Sequence, residues 1–434
     1  MENPDFDIET LVNNFSIGLP LSQRNIFDHR FTKSPLIYSD FTDSDGRFQI
    51  SEIRKGQYNL VITKEGFGKL YELDFEIKSS KNIDFTILPD DTLGNEINDN
   101  VILVSGKNYF VSDVITIEEN ASLTIPEGCQ IKLAKNSKIK VFGELKILGT
   151  ENNPVEFFSE NPDENWNELK FQTDAVSEIN YLIASSFLSI TYDKAEVNIA
   201  NSVFRNANGS FELNGISLGI IENCLIYENL DNTSIFQIQS GVDNLVLRNN
   251  IISNSSNIGT SDCINLAGTS SSMLEVENNV FMNSRNGVTI NGGNEVVINK
   301  NFFYNLNENE NGSSYALRVN GNTKMIIQNN NFLKNSMNVY FTFDGSSKDG
   351  QSFSLNNFFD SDELKWNIFL DSGLHEGTVY GLNDILLSSN YWGNSGPSLI
   401  RDGKTPNSYP NTGIVIPEMI SSVQISNGAP LISN

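Results

Sequence analysis

The sequence predicts an all-β protein: a right-handed parallel β-helix solenoid preceded by a small β-sandwich domain. Three observations support this fold. Apolar residues recur in short alternating runs, a motif of two apolar residues followed two positions on by Asn keeps returning, and a Gly-ended strand lies between its copies. We divide the 434 residues into an N-terminal segment (1–30), the sandwich (31–90), a linker (91–100) and the solenoid with its terminal cap (101–434).

The sandwich is predicted from short strands that begin near Pro35 and are separated by turns. Residues in "DGRFQI", "GQYNLVI" and "YELDFEIK" alternate between apolar and polar, as in strands with one buried face. Asp45-Gly46 fits a hairpin turn, because glycine adopts positive φ without a steric penalty. The stretch resembles the carboxypeptidase regulatory-like domain, and this resemblance implies a transthyretin-like sandwich.

The solenoid is predicted from a repeat that includes "NSVFRN", "NNIISN", "NNVFMN" and "SNYWGN". Counted from the residue before each apolar pair, the copies lie at 202, 225, 250, 279, 301, 331, 357 and 390. Their uneven steps indicate coils of constant core with loops of variable length. Asn tolerates the left-handed backbone conformation and can bond to the Asn one coil away. We therefore expect a structural Asn ladder at a turn rather than a set of glycan-binding residues.

A second repeat supplies a strand that ends in Gly, as in "FELNG", "INLAG", "VTING" and "LRVNG". Its alternation predicts the inward pairs Phe211/Leu213, Phe236/Ile238, Ile264/Leu266, Val288/Ile290, Leu317/Val319, Phe341/Phe343 and Ile368/Leu370. Parallel stacking of such strands bonds each backbone to the next coil and buries the inward columns as one core. A β-propeller is disfavoured, because its blades repeat at roughly 40 to 45 residues.

From about residue 100 onward, the chain resembles right-handed parallel β-helix repeat proteins of the pectate-lyase-like superfamily. "NYWGNSGPS" at 390–398 and the Gly-punctuated strands from Gly106 to Ser159 carry this resemblance. The front sandwich followed by a β-helix resembles exported or surface proteins of the Bacteroides group. That resemblance implies an extracellular or cell-surface location, although "MENPDFDIET" lacks the pattern of a signal peptide.

Composition disfavours several partners. A net charge of −25 repels nucleic acid and anionic lipid, and no apolar run is long enough to span a membrane. Three cysteines without a CxxC spacing and two histidines make a zinc site improbable, so we expect buried thiols. We expect a monomer without a cofactor, and calcium only if the protein is a lyase.

The outward residues of the Gly-ended strands contain the candidate site. In the predicted register, Asp344 and Asp371 lie on successive coils of one column, with Arg318 one coil earlier in the neighbouring column. Two carboxylates suit a glycosidase. The superfamily resemblance implies calcium-binding Asp clusters and a basic residue that removes a sugar proton in lyases. Asp344, Asp371 and Arg318 are therefore the catalytic candidates. The binding candidates are Glu212, Gln237, Asn291, Asn320 and Phe369.

Two functions follow from these observations. The first is an exported or surface-associated, non-catalytic protein whose polar face binds a polysaccharide or another cell-surface partner. The alternative is a polysaccharide lyase or glycoside hydrolase that acts on the outer face of one parallel sheet. We favour the first because HExxH, GxSxG and phosphate-binding glycine motifs are missing from the sequence.

Overall fold

The computed structural model describes most of residues 38–358 and five short segments beyond them. The gaps are 63, 65, 68–69, 81, 162, 228–232, 240, 254–261, 268–272, 293–294, 308–313, 321–323 and 343–351. The later segments are 366–371, 385–386, 390, 400–402 and 414–415. The described residues form strands, turns and bends, and they include no helix. The predicted all-β class is confirmed.

Three long parallel sheets run along the described part of the chain. Sheet 1 has 13 strands: β4 (Glu96–Ile97), β7 (Val114–Ile117), β10 (Lys138–Val141), β13 (Trp166–Phe171), β16 (Phe187–Asp193), β19 (Phe211–Asn214), β22 (Phe236–Ile238), β25 (Asp262–Leu266), β28 (Asn286–Ile290), β31 (Leu317–Asn320), β34 (Met337–Thr342), β37 (Trp366–Asp371) and β39 (Ile400–Asp402). Sheet 2 has 11 strands: β5 (Asn100–Ile102), β8 (Ser122–Pro126), β11 (Glu144–Leu148), β14 (Val176–Asn180), β17 (Val197–Ala200), β20 (Gly219–Glu222), β23 (Leu245–Arg248), β26 (Met273–Glu277), β29 (Glu295–Asn299), β32 (Lys324–Gln328) and β35 (Ser352–Ser354). Sheet 3 has 12 strands: β3 (Asp91–Thr92), β6 (Asn108–Val111), β9 (Gln130–Leu133), β12 (Val155–Ser159), β15 (Leu182–Ser185), β18 (Val203–Arg205), β21 (Leu225–Tyr227), β24 (Ile251–Ser253), β27 (Val280–Met282), β30 (Phe302–Tyr304), β33 (Asn331–Leu333) and β36 (Asn357–Phe358).

Each coil of the solenoid contributes one strand to each sheet in turn, so neighbouring strands of a sheet are three elements apart, except that β37 pairs with β39. This is the parallel β-helix that the repeats predict. Two further pairs lie outside the three sheets. The strands β1 (Gly56–Ile62) and β2 (Leu70–Ile77) are antiparallel, and β38 (Ile385–Leu386) pairs in parallel with β40 (Ile414–Val415).

The core is a set of stacked columns of inward side chains. Phe281, Phe303, Phe332 and Phe358 stack along sheet 3, with successive ring centroids 5.1, 4.9 and 4.9 Å apart. Phe281 and Phe303 are the second member of the repeated apolar pair, and Phe332 and Phe358 occupy the matching positions on β33 and β36. The first member, as in Phe302, faces the other side of sheet 3 and joins a second buried apolar cluster. The two residues of the pair therefore pack on opposite faces, as strand alternation requires.

An Asn ladder is present at the corner between sheets 2 and 3. It is formed by the Asn before the apolar pair, whereas the repeat predicted it at the Asn two positions after the pair. Asn250, Asn279, Asn301, Asn330, Asn356 and Asn390 are buried, and each bonds to the next along the column. The preceding residue in most of these coils has positive φ, as at Asn249 (56°) and Asn278 (54°). The left-handed corner is thus built from the residue type that tolerates it best.

The sequence-based alignment of this repeat was wrong by one residue in three coils. Cys224, Asn330 and Asn356 occupy the ladder position, rather than residues 225, 331 and 357. In two of these coils the sequence contains adjacent asparagines, and Asn330 and Asn356 join the ladder. The asparagine that follows each of them takes the outward position, as shown by the pairing of Asn331 with Phe302.

The predicted register of sheet 1 is confirmed from Glu212 to Val319, and it is wrong by two residues for β34. Phe369 on the next strand lies in the column of Arg318, as predicted. Val319 pairs with Phe341 rather than Phe343, and Arg318 pairs with Tyr340 rather than Thr342. The sequence alignment was anchored on the Gly after each strand. Inward apolar columns set the pairing instead, because a two-residue slip preserves which face is buried while changing every neighbour.

The N-terminal region shows part of what was expected. The turn at Asp45-Gly46 is present, with Gly46 at φ 78° and its N–H bonded to the Asp43 carbonyl at 3.0 Å. The strand expected around Phe48 and Ile50 is not formed. The β1–β2 pair is the sheet that the structure describes here, and the complete sandwich stays a prediction.

The three cysteines agree with the expectation of buried thiols that was drawn from the composition. Cys129, Cys224 and Cys263 are unpaired and buried, as expected of small apolar residues. Burial raises the pKa of the Cys129 thiol to about 11.

Within the described ranges, no helix has both the length and the apolar character needed to cross a membrane.

Candidate functional site

A concave pocket of about 430 Å³ opens on the outer face of sheet 1. Its volume falls in the usual range of small-molecule sites, roughly 300 to 1,000 Å³. Four consecutive coils build it through β25, β28, β31 and β34 and the residues just before these strands. The lining residues are Asp262, Asn265, Arg285, Asn286, Thr289, Asn291, Tyr315, Arg318 and Tyr340.

One row of outward side chains crosses the pocket. Asn265, Thr289, Arg318 and Tyr340 occupy paired positions on the four neighbouring strands. Paired residues of adjacent strands are about 4.8 Å apart, so the row spans roughly 14 Å. The inward neighbours of these residues anchor the row in the core, and the pocket therefore rests on rigid strands.

The guanidinium group of Arg318 lies against two aromatic rings in the pocket. Tyr315 and Tyr340 stack with centroids 5.7 Å apart and planes 21° apart. The guanidinium carbon of Arg318 lies 5.9 Å from the Tyr315 centroid and 5.7 Å from the Tyr340 centroid. Both contacts are within cation–π range. All three side chains are half-buried, and together they present a polarised, mostly planar surface to the pocket.

A buried carboxyl group forms another part of the lining. Asp262 is 7% exposed, and Asn286 Nδ2 donates to its Oδ1 at 2.6 Å. Burial raises the pKa of the Asp262 carboxyl, while the Asn286 bond and the Arg285 and Arg318 charges oppose that rise in part. Desolvation dominates here, so the site favours the protonated form of Asp262 more than water does.

Amide groups complete the lining. Asn286 Oδ1 accepts the backbone N–H of Tyr315 at 3.1 Å, which ties the start of one coil to the previous one. Asn291 Nδ2 donates to Asn265 Oδ1 at 3.3 Å, and Asn291 is exposed. Amides offer both donors and acceptors, so this part of the pocket can bond to hydroxyl groups of a ligand.

The predicted site residues are only partly brought together. Arg318 and Asn291 line the pocket. Gln237 pairs with Asn265 beside the pocket, and Glu212 pairs with Gln237 one strand further away. Phe369 pairs with Tyr340, so its backbone continues the same row, and Asn320 is two positions after Arg318 in β31.

The predicted carboxylate pair does not survive the observed register. Asp371 pairs with Thr342, whereas the predicted column placed it beside Asp344. The slip of two residues described above for sheet 1 causes this difference. Asp344 itself lies outside the described residues. The catalytic roles of Asp344 and Asp371 stay predictions, without the neighbouring positions that suggested them.

Sequence reasoning missed seven of the nine lining residues: Asp262, Asn265, Arg285, Asn286, Thr289, Tyr315 and Tyr340. Asp262, Arg285 and Tyr315 precede the alternating core of their strands, where the chain turns into sheet 1. A signal was present, because "SDCINL", "SRNGVTI" and "SSYALRV" carry these residues two or three positions before the first inward residue. Stacking of the coils places such residues side by side.

Acidic and metal-ligating side chains are dispersed. In the part of the chain that the structure describes, no three His, Cys, Asp or Glu side chains come close enough together to hold a metal ion.

Comparisons with known proteins add little to the description of the fold and the pocket. No family model matches the chain, and no curated protein matches it. Among solved structures, an alginate lyase from Paenibacillus sp. strain FPU-7 is 14% identical, with 61% of this chain and 89% of that chain covered and a TM-score of 0.26. The tailspike protein of E. coli bacteriophage HK620, solved with a pentasaccharide, is 11% identical with a TM-score of 0.30. That match covers 68% of this chain and 59% of the tailspike. Identities and TM-scores this low carry no argument about the function of this chain.

Proposed function

We propose that this protein binds a glycan in the pocket on the outer face of sheet 1. The observation that carries the proposal is the Arg318 guanidinium lying over the stacked Tyr315 and Tyr340 rings, beside amide groups in a concave site. Phe369 is the one aromatic residue among the binding candidates predicted from the sequence, and a sugar ring usually stacks on an aromatic side chain. The two tyrosines supply two further aromatic rings.

The chemistry of the lining suits a sugar. A sugar ring presents C–H groups on its faces and hydroxyl groups around its edge. Tyrosine offers an apolar ring with a polar tip, and amides bond to hydroxyls in either direction. Because the residues stand on strands stacked in register, the groups are held in place before a ligand arrives, which lowers the entropy cost of binding.

The wider setting forms part of the same proposal. We place the protein outside the cell or on its surface, as a monomer with a front sandwich, and its partner as a polysaccharide or surface glycan. A rigid rod with a polar sheet face suits recognition of an extended polymer. The resemblances described for the sequence support this setting.

The test is a glycan array that covers neutral and acidic polysaccharides, probed with the wild type and with the double variant Tyr315→Ala/Tyr340→Ala. We expect at least one glycan to bind the wild type, and about tenfold weaker binding by the double variant. An aromatic contact contributes about 0.5 to 1.5 kcal/mol, and a tenfold change in affinity corresponds to about 1.4 kcal/mol.

Phe41→Ala is the matched control, since Phe41 is 90% exposed and its loss removes an aromatic ring away from the pocket. Thermal melts establish that the double variant is folded. Absence of any bound glycan, or undiminished binding by the folded double variant, contradicts the proposal.

A second candidate function is cleavage of the bound polysaccharide. Asp262 favours it, because a carboxyl group whose pKa is raised by burial in a pocket is a typical proton donor. The test measures release of unsaturated or reducing ends from a polysaccharide panel, with and without calcium. Activity that Asp262→Asn abolishes supports cleavage. Silence across a panel that includes the bound glycans leaves binding alone.

A further inference from the structure

We propose that the outer face of sheet 2 binds a basic amphipathic helix of another protein. This surface is separate from the pocket, which lies on sheet 1. Its apolar residues stand on, or just before, the strands β20, β23, β26, β29 and β32. We call them the sheet 2 patch: Leu218, Ile220, Val246, Met273, Val297 and Ile326.

The pairing of these five strands aligns one outward column along the axis of the solenoid. The column runs through Ile220, Val246, Glu275, Val297 and Ile326, each paired with the next. Adjacent strands are about 4.8 Å apart, so the column is about 19 Å long. Four of its five members are apolar and half-buried, and the carboxylate of Glu275 lies in the middle.

The apolar character is confined to this part of sheet 2. Leu218 and Met273 lie two positions before the column on their strands, and they are 63% and 42% exposed. In earlier coils the same column is polar, where Thr124, Lys146 and Glu178 occupy it. Apolar side chains that collect on one part of an exposed face are typical of a surface that binds a partner.

The shape of the sheet 2 patch suits a helix that lies along the solenoid axis. The next outward column is charged and contains Glu222, Arg248 and Glu277, so the apolar surface is long and narrow. An α-helix advances about 5.4 Å in each turn, which is close to the spacing of about 4.8 Å between coils. About 13 helical residues, at about 1.5 Å each, therefore cover the column.

Glu275 determines the charge that the partner needs. Three of the four carboxylates on these five strands are paired: Glu222 with Arg248, Glu277 with Lys300 and Glu295 with Lys324. Among the described residues, no cation lies within 4.0 Å of the Glu275 carboxylate. A helix that covers the column buries this carboxylate, and a buried charge without a partner is strongly unfavourable. The partner helix therefore carries a Lys or Arg within its apolar face.

The occupant is a separate protein rather than a second copy of this chain. A second copy brings the same unpaired glutamate and a net charge of −25 to the interface, and like charges repel. Anionic lipid is disfavoured on the same ground. A cationic helix complements both the central carboxylate and the charge of the whole chain.

The probes for the test are two labelled helical peptides of about 14 residues, long enough to cover the column. Both have a leucine face flanked by lysines, and the middle residue of that face is Arg in one peptide and Leu in the other. Fluorescence anisotropy measures their affinities. We expect the Arg peptide to bind the wild type at least tenfold more tightly than the Leu peptide.

The variant Glu275→Leu should reverse this order, because it leaves the buried Arg of the peptide without a carboxylate. Glu178→Leu is the matched control, since Glu178 is exposed in the same column outside the sheet 2 patch, and it should keep the order of the wild type. This control separates pairing with Glu275 from the general loss of one negative charge.

The apolar contribution is tested with Val246→Thr/Val297→Thr, which keeps the shape of both side chains and suits a strand. We expect it to weaken both peptides at least tenfold. Ile102→Thr is the matched control, because Ile102 is 74% exposed in the same column beyond the patch, and it should bind like the wild type. Melting curves show whether each variant is folded.

Several outcomes overturn the proposal. They are equal binding of the two peptides by the wild type, an unchanged order in Glu275→Leu, and equal losses in Ile102→Thr and the double threonine variant. Dimerisation in sedimentation experiments that the double variant abolishes would assign the patch to a second copy instead. Binding to phosphatidylcholine vesicles that the double variant abolishes would assign it to a lipid surface. None of these outcomes affects the proposed glycan binding on sheet 1.

Discussion

The Asn ladder and the pocket are both rows of polar side chains that cross several coils, and they differ in how their hydrogen bonds are used. In the ladder, Asn301 is fully buried; its oxygen accepts two bonds from Asn279, and its Nδ2 donates to Val276, Asn299 and Asn330. Every donor and acceptor has a partner within the protein, which leaves nothing for a ligand.

In the pocket, residues stacked in the same way keep hydrogen-bonding groups available for a ligand. Arg318 has a buried Nε without a partner among the described residues, and Asn291 is exposed with one bond to Asn265. A row of polar residues on a β-helix is therefore informative about function only after its hydrogen bonds are counted. Satisfied rows stabilise the coil, and unsatisfied rows are available for binding.

The largest effect should come from breaking the ladder. Asn301→Ala leaves the buried N–H of Asn279 and the carbonyls of Val276 and Asn299 without their side-chain partner. Each buried group left unpaired costs about 1 to 3 kcal/mol, so we expect a loss of about 3 kcal/mol or more in the free energy of unfolding. Chemical denaturation measures it.

The control for this change is Asn198→Ala. Asn198 is exposed on β17, and its backbone N–H, which bonds to Ser177, is retained in the variant. It should change the free energy of unfolding by about 0.5 kcal/mol or less. Equal losses in the two variants would mean that the ladder bonds add nothing to stability.

A pH-dependent effect should come from Asp262. Because burial raises its folded-state pKa, the folded protein binds more protons than the unfolded chain between the unfolded value of 3.8 and the raised folded value. The contribution of Asp262 to stability therefore falls as the pH rises through that window. Asp262→Asn removes this dependence and retains the acceptor for Asn286.

We expect Asp262→Asn to be more stable than the wild type at neutral pH, with a difference that vanishes below pH 3.8. Thermal melts across the pH range measure this. A variant less stable than the wild type at neutral pH would show that the ionised carboxylate, with its nearby arginines, stabilises the fold.

Much of the fold could be predicted from the sequence, because alternation and repetition are local signals. Inward residues such as Ile238 and Val288 are buried as predicted. Recurring Asn predicts a ladder, although the Asn before the apolar pair forms it rather than the Asn after the pair. The pairing of β34 could not be predicted, because a two-residue slip keeps the apolar face intact. Gly215, one of the glycines used to align the strands, lies outside the pairs of β19.

The site was harder to predict for a different reason. Asp262 and Tyr315 lie where the chain enters sheet 1, outside the alternating core, and the spacing between successive repeats varies along the sequence. Only the stacking of coils brings them beside Arg318. Arg318 was identified because its strand position is fixed by Leu317 and Val319 on either side.

The most direct test of the contrast between the Asn ladder and the pocket row replaces one Asn by Ala in each. It measures the free energy of unfolding and the glycan affinity of both variants. Asn301→Ala in the ladder should lower the free energy of unfolding by about 3 kcal/mol or more, and leave glycan affinity unchanged at temperatures where the variant is folded. Asn291→Ala in the pocket should change stability by about 0.5 kcal/mol or less, and weaken glycan affinity about fivefold, the loss expected for one hydrogen bond. If Asn291→Ala instead leaves affinity unchanged, or if stability and affinity fall together in both variants, the division into a structural row and a binding row is wrong.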